Sequence, residues 1–236
     1  MNIIGISGKI SSGKDTVAEI IQVYDYINKY SHSWEFDSNY NLYLEQHNSY
    51  RIKYFADALR KVVSILTGMP ENMLKKRYVK GMSAGYTWGF ATYRELLQKI
   101  GTNALREVVN ENVWVNALFA TYDPTQRWLI PDTRFLNEAH IIKENGGIVI
   151  RVQRSDNQSN GHQSETDLDS YEFDAIILNN DSIENLIKSI GNFLSSRNII
   201  DFDIKKNHIK YIENKLKSNE LHRGEVSSIY KIPINE

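Results

Sequence analysis

Residues 8–16, Gly8-Lys9-Ile10-Ser11-Ser12-Gly13-Lys14-Asp15-Thr16, follow the apolar run Ile3-Ile4-Gly5-Ile6 and precede an amphipathic segment. A strand, a glycine-bounded loop and a helix start in this order wrap backbone N–H groups around a polyphosphate. Gly8 and Gly13 permit a tight turn and close approach of the backbone to a ligand. Lys14 supplies a positive charge for the β- and γ-phosphates. The pattern predicts a nucleoside triphosphate site formed by Gly8, Lys9, Ser11, Ser12, Gly13, Lys14, Asp15 and Thr16.

The composition excludes several classes of protein. The 236 residues carry a formal net charge of −1, which gives no general attraction to nucleic acid or to an anionic membrane. No cysteine is present, so disulfides, thiolate metal sites and a catalytic thiol are excluded. We see no leader and no apolar run of the roughly twenty residues that a membrane span needs. We expect a cytoplasmic protein that binds small molecules, with a homodimer as an open alternative.

Strands and helices alternate along the chain, which predicts an α/β fold with three layers and a mostly parallel central sheet flanked by helices. Apolar runs predict strands at residues 3–6, 52–56, 127–132, 147–152 and 175–179. Helical spacing predicts helices at 17–24, 57–67, 92–109, 113–122, 135–145 and 182–196, and Ser182 is the expected N-cap of the last one. A charged helix at 204–216 lies in a C-terminal extension, residues 197–236, whose role the sequence does not indicate. Residues 30–50 form a polar insertion.

Asp132 and Arg134 follow directly after the predicted strand 127–132. A carboxylate at the end of a strand in a phosphate-loop protein is well placed to hold Mg²⁺ or its water shell. An arginine two positions later can bind a phosphoryl group with two parallel hydrogen bonds. The alternative is an Asp that caps a helix, with a solvated Arg; the phosphate loop on the same sheet edge favours a catalytic role for both.

Two other segments combine groups that suit a second nucleotide. Asp57 and Arg60 follow the second predicted strand, where Asp57 is equally well explained as an N-cap. Arg94 and Gln98 lie four residues apart on one helix face. This pair could bind a phosphate and a base edge together, although an ordinary exposed face has the same pattern.

A polar loop with arginines at its base suggests a lid. Arg151 and Arg154 end a predicted strand, and the loop that follows contains His162, Ser164 and Glu165. Closure of such a loop excludes water and neutralises charge in phosphoryl transfer. We therefore predict a lid at 151–172 and a catalytic role for Arg151 and Arg154. His162 is not needed as a base, because a phosphate acceptor is already anionic.

Several short motifs occur in a fixed order after G-K-I-S-S-G-K-D-T at 8–16. They are F-A-D-A-L-R at 55–60, L-Q-K-I-G-T at 97–102, D-T-R-F-L-N-E at 132–138, H-Q-S-E-T-D-L-D at 162–169, F-D at 173–174 and N-N at 179–180. In this order and spacing the chain resembles, over about residues 1–195, the deoxynucleoside monophosphate kinases of tailed bacteriophages.

The resemblance implies that a domain at 1–196 transfers the γ-phosphoryl group of ATP to deoxynucleoside 5′-monophosphates, with Mg²⁺ as cofactor. It implies a helical acceptor-binding region at 57–122, and a host-cytoplasmic location if the chain comes from a phage. Thr16 and Asp132 would hold Mg²⁺, the latter directly or through water. Lys14, Asp132, Arg134, Arg151 and Arg154 would act in catalysis. The acceptor would contact Asp57, Arg60, Arg94, Gln98 and Glu165.

Two alternatives remain open at this point. Phosphomevalonate kinases of the animal type share the G-K-x-x-S-G-K-D, D-x-R and S-E patterns, but they need no surface that recognises a base. The Arg94/Gln98 face and the aromatic residues between Tyr86 and Tyr93 favour a nucleotide. A different class of protein, a regulatory module driven by ATP hydrolysis, would need a water-positioning residue and a large partner surface; neither is visible in the sequence.

Overall fold

A parallel β-sheet forms the centre of the molecule. The computed structural model describes residues 1–30, 44, 49–155 and 166–229, with side chains up to residue 219. Within these residues the strands are β1 Ile3–Ser7, β2 Tyr50–Ile52, β3 Arg127–Ile130, β4 Ile148–Gln153 and β5 Ala175–Leu178. They pair in the order β2-β3-β1-β4-β5, and every neighbouring pair is parallel. The predicted α/β class and parallel sheet are confirmed.

Helices lie between and beyond the strands. The α-helices are α1 Lys14–Tyr30, α2 Ala56–Thr67, α3 Glu71–Leu74, α4 Arg77–Lys80, α5 Tyr93–Gln98, α6 Val113–Phe119, α7 Leu136–Glu144, α8 Ile183–Ser196 and α9 Lys206–Ile229. A 3₁₀ turn occupies Tyr86–Trp88, and a π-helix occupies Lys99–Val109. Ser182 caps α8 as predicted, because its side chain accepts a hydrogen bond from the backbone N–H of Asn185. None of the helices that the structure describes is long and apolar enough to cross a bilayer.

Two apolar clusters cover the two faces of the sheet. In β1, Ile4 and Ile6 point into a cluster formed with α1, α8 and α9, whereas Ile3 points to the opposite face. The second cluster includes Trp128 of β3 and residues of α6 and α7. Because alternate side chains of a strand face opposite sides, a sheet buried on both faces reads as an apolar run, as β1 does. The predicted three layers are therefore present.

The predicted strand at 52–56 is wrong in its position. β2 ends at Ile52, and α2 already begins at Ala56. The reason is a contact that sequence spacing does not show: Asp132 accepts hydrogen bonds from the backbone N–H groups of Phe55 and Ala56, each at 3.0 Å. These bonds satisfy N–H groups at the start of α2 and turn the chain out of the strand. Phe55, not Asp57, is the N-cap residue.

The predicted helix at 92–109 is two elements. Thr92 and Glu95 form a capping box that starts α5. From Lys99 the chain continues as a π-helix, whose wider turns change which side chains share a face. Gly101 lies in this segment against Leu59, where a Cβ atom would be 2.7 Å from Leu59 Cδ2. A larger residue at position 101 would therefore have to displace the side chain of Leu59.

The C-terminal extension packs on the helix that carries the phosphate loop. Its helix α9 is longer than the predicted 204–216. Ile212 is fully buried, and Tyr211 stacks on Tyr26 of α1 with ring centroids 6.2 Å apart. Asn219 Nδ2 also donates to Glu19 Oε2 at 3.3 Å. The extension thus adds to the layer that supports α1. Most of the predicted insertion at 30–50 lies outside the described residues.

Candidate active site

The loop between β1 and α1 has the backbone of a phosphate cradle. Gly8 and Gly13 have φ values of 151° and 97°, a region that residues with a side chain rarely adopt. A Cβ atom at Gly8 would lie 2.5 Å from the carbonyl oxygen of Val152, and one at Gly13 would lie 2.5 Å from Asn179 Nδ2. That same Asn179 nitrogen donates to the carbonyl oxygen of Ser12 at 2.8 Å. The loop is therefore held in a shape that needs glycine at both ends.

Lys14 projects its charge into this cradle. Its Nζ atom donates hydrogen bonds to the carbonyl oxygens of Gly8 and Lys9, the latter at 2.8 Å, and the residue is only 8% exposed. The ammonium group thus lies inside its own loop, in a position to contact a phosphate oxygen. Asp15 accepts a hydrogen bond from the Tyr54 hydroxyl at 2.9 Å. Thr16 lies one residue further along α1 and does not line the adjoining cavity.

A cavity of about 830 Å³ extends from the phosphate loop across the carboxyl end of the sheet. Nine cationic side chains line it, against three acidic ones, although the whole chain is close to neutral. Clustered cations in a recess attract and concentrate anions. The cations are Lys14, Arg60, Lys75, Lys76, Arg77, Lys80, Arg94, Arg106 and Arg134, and the acids are Asp15, Asp132 and Glu138.

Asp132 has a structural role in addition to its place at the cavity. The two amide hydrogen bonds from the start of α2 use both of its carboxylate oxygens. Burial raises the pKa of Asp132, while Arg60, the two amide groups and Arg134 oppose that rise. Each oxygen still has a second lone pair, so the carboxylate can accept another donor or a cation. Asp132 thereby joins α2 to the sheet at the edge of the cavity.

Glu138 and Arg106 form a buried ion pair that sequence reasoning missed. Arg106 Nη2 lies 2.8 Å from Glu138 Oε1, and the two side chains are 10% and 3% exposed. The other oxygen of Glu138 accepts the backbone N–H groups of Arg134 and Phe135 at 2.7 and 3.1 Å. The guanidinium of Arg106 also lies 3.8 Å above the ring of Phe135. The pair connects the π-helix to the segment that presents Arg134.

Three residues that were predicted to bind an acceptor line the cavity: Arg60, Arg94 and Gln98. Asp57 does not line the cavity; it holds Arg60 in place through a 2.7 Å ion pair and also lies 3.3 Å from Lys75. These two cations hold the pKa of Asp57 below its ordinary value, although partial burial acts in the opposite direction. The predicted contact of Asp57 with the acceptor stays a prediction; the observed contact of Asp57 is with Arg60, which lines the cavity.

The cavity is also lined by four basic residues to which the sequence analysis assigns no function: Lys75, Lys76, Arg77 and Lys80. Arg77 Nη1 approaches Ser11 Oγ of the phosphate loop at 3.4 Å, so α4 faces the loop across the cavity. Only the cluster of basic residues in the sequence could have indicated this position. Their common surface depends on α3 and α4, two helices of four residues each that the sequence pattern did not show.

Part of the cavity lining is apolar and aromatic, and comprises Leu59, Leu97, Gly101, Trp114 and Phe135. The indole N–H of Trp114 donates to the carbonyl oxygen of Gly101 at 2.9 Å, which fixes the ring against the π-helix. Together with the amide of Gln98, which also lines the cavity, such side chains suit a planar heterocycle with polar edges.

The structure does not place Arg151 and Arg154 at the cavity. Arg151 is buried and pairs with Asp169 at 2.7 Å, while Arg154 is exposed beyond the end of β4. Arg151 thus holds Asp169, near the carboxyl end of the predicted lid. The cations at the cavity come instead from α2 to α5 and from the segment after β3. Glu165 and His162 lie outside the described residues, so the predicted lid and the roles of these residues remain predictions.

Comparisons with known proteins agree with this geometry. The model of the deoxynucleotide monophosphate kinase family matches residues 35–190. The chain belongs to this family. A protein of Acanthamoeba polyphaga mimivirus, named "Putative deoxynucleotide monophosphate kinase", is 27% identical over 205 residues, which cover 80% of this chain and 94% of that protein. The family resemblance inferred from sequence is confirmed, and the chain is a phosphotransferase of the nucleoside monophosphate kinase type.

Proposed function

We propose that this kinase transfers the γ-phosphoryl group of ATP directly to the phosphate of a deoxynucleoside 5′-monophosphate. The observation that carries the proposal is one cavity whose lining combines phosphate-loop residues, further cations and apolar side chains. Such a cavity would hold two anions end to end, with the base against the apolar residues. That order is the one an in-line transfer requires.

The donor phosphates would lie in the loop at 8–13, with Lys14 on the group that is transferred. The acceptor phosphate would face Arg60 and Arg94, because these arginines line the same cavity as the loop. Arg134 follows β3 at the carboxyl edge of the sheet and lines the cavity together with both sets of residues. Fixed cations that need not reorganise stabilise the charge that develops in the transition state.

A magnesium ion fits this site only as a companion of the nucleotide. No cluster of three or more acidic, His or Cys side chains that could hold a metal exists among the described residues. Mg²⁺ typically keeps several waters and takes one or two protein ligands together with the phosphates of its substrate, where it neutralises charge. The Asp132 carboxylate, which lines the cavity, would be one such ligand; Asp15 lines the cavity as well, whereas the Thr16 hydroxyl, the other predicted ligand, does not.

The reaction needs no general base from the protein. A phosphate acceptor is already anionic near neutral pH, so the enzyme has to align it, exclude water and neutralise repulsion between the two substrates. The residues of this cavity are suited to those tasks: arginines and lysines surround the anions, and apolar side chains cover the base. Catalysis would then follow from positioning and charge.

The test is a coupled assay in which ATP and Mg²⁺ are supplied with dTMP, dGMP, dCMP, dAMP or phosphomevalonate in separate reactions. We expect turnover with at least one deoxynucleotide, none with phosphomevalonate, and loss of activity when the metal is chelated. Turnover of phosphomevalonate alone would identify a different small-phosphate kinase. ATP consumption that no acceptor stimulates would instead point to a regulatory ATPase.

Lys14→Ala is the matched variant for the donor site. We expect kcat to fall by on the order of a hundredfold or more, because a fixed charge beside the transferred group is lost. Lys61→Ala provides the control, since Lys61 is an exposed cation of α2 outside the cavity. If the folded Lys14→Ala protein retained full turnover, the proposed donor site would be wrong.

A further inference from the structure

Lys80 is a cation of the cavity wall that the sequence motifs did not indicate. It ends the four-residue helix α4, and its side chain is half-buried at the cavity. The preceding residue, Val79, is fully buried in a small apolar cluster with Val63, Met73, Leu74 and Tyr93. Because the buried Val79 anchors α4 on this cluster, the backbone of Lys80 is held beside the cavity.

The groups that face Lys80 come from four other elements and are mostly of the same sign. Arg60 of α2, Arg94 of α5 and Arg134 after β3 repel its charge, and Asp15 of α1 attracts it. Burial and these three arginines lower the pKa of Lys80 from 10.5 to about 8. Among the described residues, neither Lys80 nor Arg94 takes part in an ion pair. The charge of Lys80 therefore faces three arginines and one carboxylate.

The arginine beside Lys80 has unused hydrogen-bonding capacity. Arg60 is only 7% exposed, and one of its guanidinium nitrogens pairs with Asp57. Its Nε atom is buried without a hydrogen-bond partner. A buried N–H group normally has a partner, so the hydrogen-bonding capacity of Arg60 is incompletely used. A dianionic phosphate with three terminal oxygens would accept hydrogen bonds from several cations of this cavity together.

We propose that Lys80 binds the 5′-phosphate of the acceptor deoxynucleotide, together with Arg60, Arg94 and Arg134. The inference rests on the proposed function, since it assigns one more ligand to the acceptor end of that cavity. It predicts that the site is specific for ligands that carry a dianionic phosphate. It also gives the affinity for the acceptor a pH dependence that the arginines, which stay charged, cannot produce.

The first test is binding of a deoxynucleoside monophosphate to the wild-type protein by calorimetry between pH 7.5 and 9.5. We use whichever nucleotide the coupled assay identifies as a substrate. Lys80 loses its proton above about pH 8, so affinity should fall by about tenfold over this interval as the charge is lost. Affinity for ATP should change much less, because its phosphates bind at the other end of the cavity.

Two substitutions assign the effect to this residue. Lys80→Arg keeps a charge at all these pH values, so the affinity of the variant should be nearly independent of pH. Lys80→Met should bind the monophosphate about 10- to 100-fold more weakly at pH 7.5, the loss typical of a charge-assisted hydrogen bond, and should also show a flat profile. Lys61→Met, an exposed lysine of α2 that does not line the cavity, should retain the wild-type profile.

The outcomes separate the two proposals. If the wild-type protein binds no monophosphate and phosphorylates none, the proposed function fails. If it binds one with an affinity that does not change with pH, or if folded Lys80→Met binds as tightly as wild type, the role of Lys80 is overturned while the function stands. A Lys80→Arg protein that keeps the alkaline loss of affinity would place the titrating group elsewhere.

Discussion

Replacing Arg106 by methionine tests how much the ion pair with Glu138, which joins the π-helix to the segment after β3, contributes to the free energy of unfolding. The pair is buried, with a 2.8 Å N–O distance and side chains that are 10% and 3% exposed. Removing one partner of a buried pair costs about 3–5 kcal/mol, because the remaining charge has neither water nor a counter-ion. Arg106→Met should therefore lower the free energy of unfolding by about that amount at alkaline pH.

The pH dependence of the loss follows from Glu138. Burial raises its pKa from 4.5 to about 7, and Arg106 limits the rise. Without Arg106 the pKa rises further, so above pH 7 the folded variant keeps a proton that both the folded wild type and the unfolded chain have released. The stability of the variant then falls with rising pH by about 1.4 kcal/mol per unit until its new pKa is reached. Between pH 7 and 8.5 the deficit should grow by about 2 kcal/mol.

Urea unfolding followed by circular dichroism at pH 6 and pH 8.5 measures this deficit. The double variant Arg106→Met/Glu138→Gln is the matched comparison, since it has no buried charge. It should be more stable than the single variant at pH 8.5, and its own stability should lack the pH dependence that Glu138 causes. Lys188→Met removes an exposed partner of Glu184 and should change stability little. If the single variant showed the same deficit at both pH values, Glu138 would not be the buried charge that this argument requires.

Three further substitutions address the two ends of the cavity. Gly13→Ala places a Cβ atom 2.5 Å from Asn179 Nδ2 at a φ of 97°, so the KM for ATP should rise about tenfold or more in steady-state assays; an unchanged KM would show that the loop tolerates a side chain. Asp57→Asn leaves Arg60 without its 2.7 Å partner, so the KM for the monophosphate should rise severalfold while that for ATP stays constant. A rise in both would indicate general damage to the fold. Arg134→Lys cannot form the two parallel hydrogen bonds of a guanidinium, so kcat should fall by about tenfold or more, and activity within twofold of wild type would contradict a role at the phosphates.

The tight turn between β1 and α1 could be predicted from sequence because its geometry is local; its binding of ATP stays a prediction. Gly8, Gly13 and Lys14 lie within seven positions, and the turn that they need is determined by backbone geometry over the same stretch. The shared face of Arg94 and Gln98 could also be predicted, since helical spacing alone puts the two residues on one side. In each case the residues that act together are neighbours in the chain.

The remaining site residues depend on contacts between distant segments. Glu138 follows Arg134 by four positions, but its partner Arg106 lies 32 residues earlier, and no local pattern connects them. Asp132 was expected to hold a metal, and its hydrogen bonds to the start of α2 span more than 70 residues. Lys80 was missed because α4 is too short to show periodicity. The error at 52–56 has the same origin, since a tertiary contact ends the strand.

Ligand binding should also affect the stability of the segment that contributes most cations to the cavity, helices α2 to α5. Helices α3 to α5 pack on their own small apolar cluster, which Leu59 joins to the larger one beneath the sheet. Helices α3 to α5 and the π-helix that follows them also make polar contacts with the rest of the site. Arg77 contacts Ser11, and Arg106 of the π-helix pairs with Glu138. With several cations facing one space, the unliganded segment is weakened by repulsion, and a bound phosphate removes that repulsion. Anything that binds only the folded arrangement stabilises it by mass action. A monophosphate should therefore raise the melting temperature of this protein, and it should do so less in variants that have lost a cation of this segment.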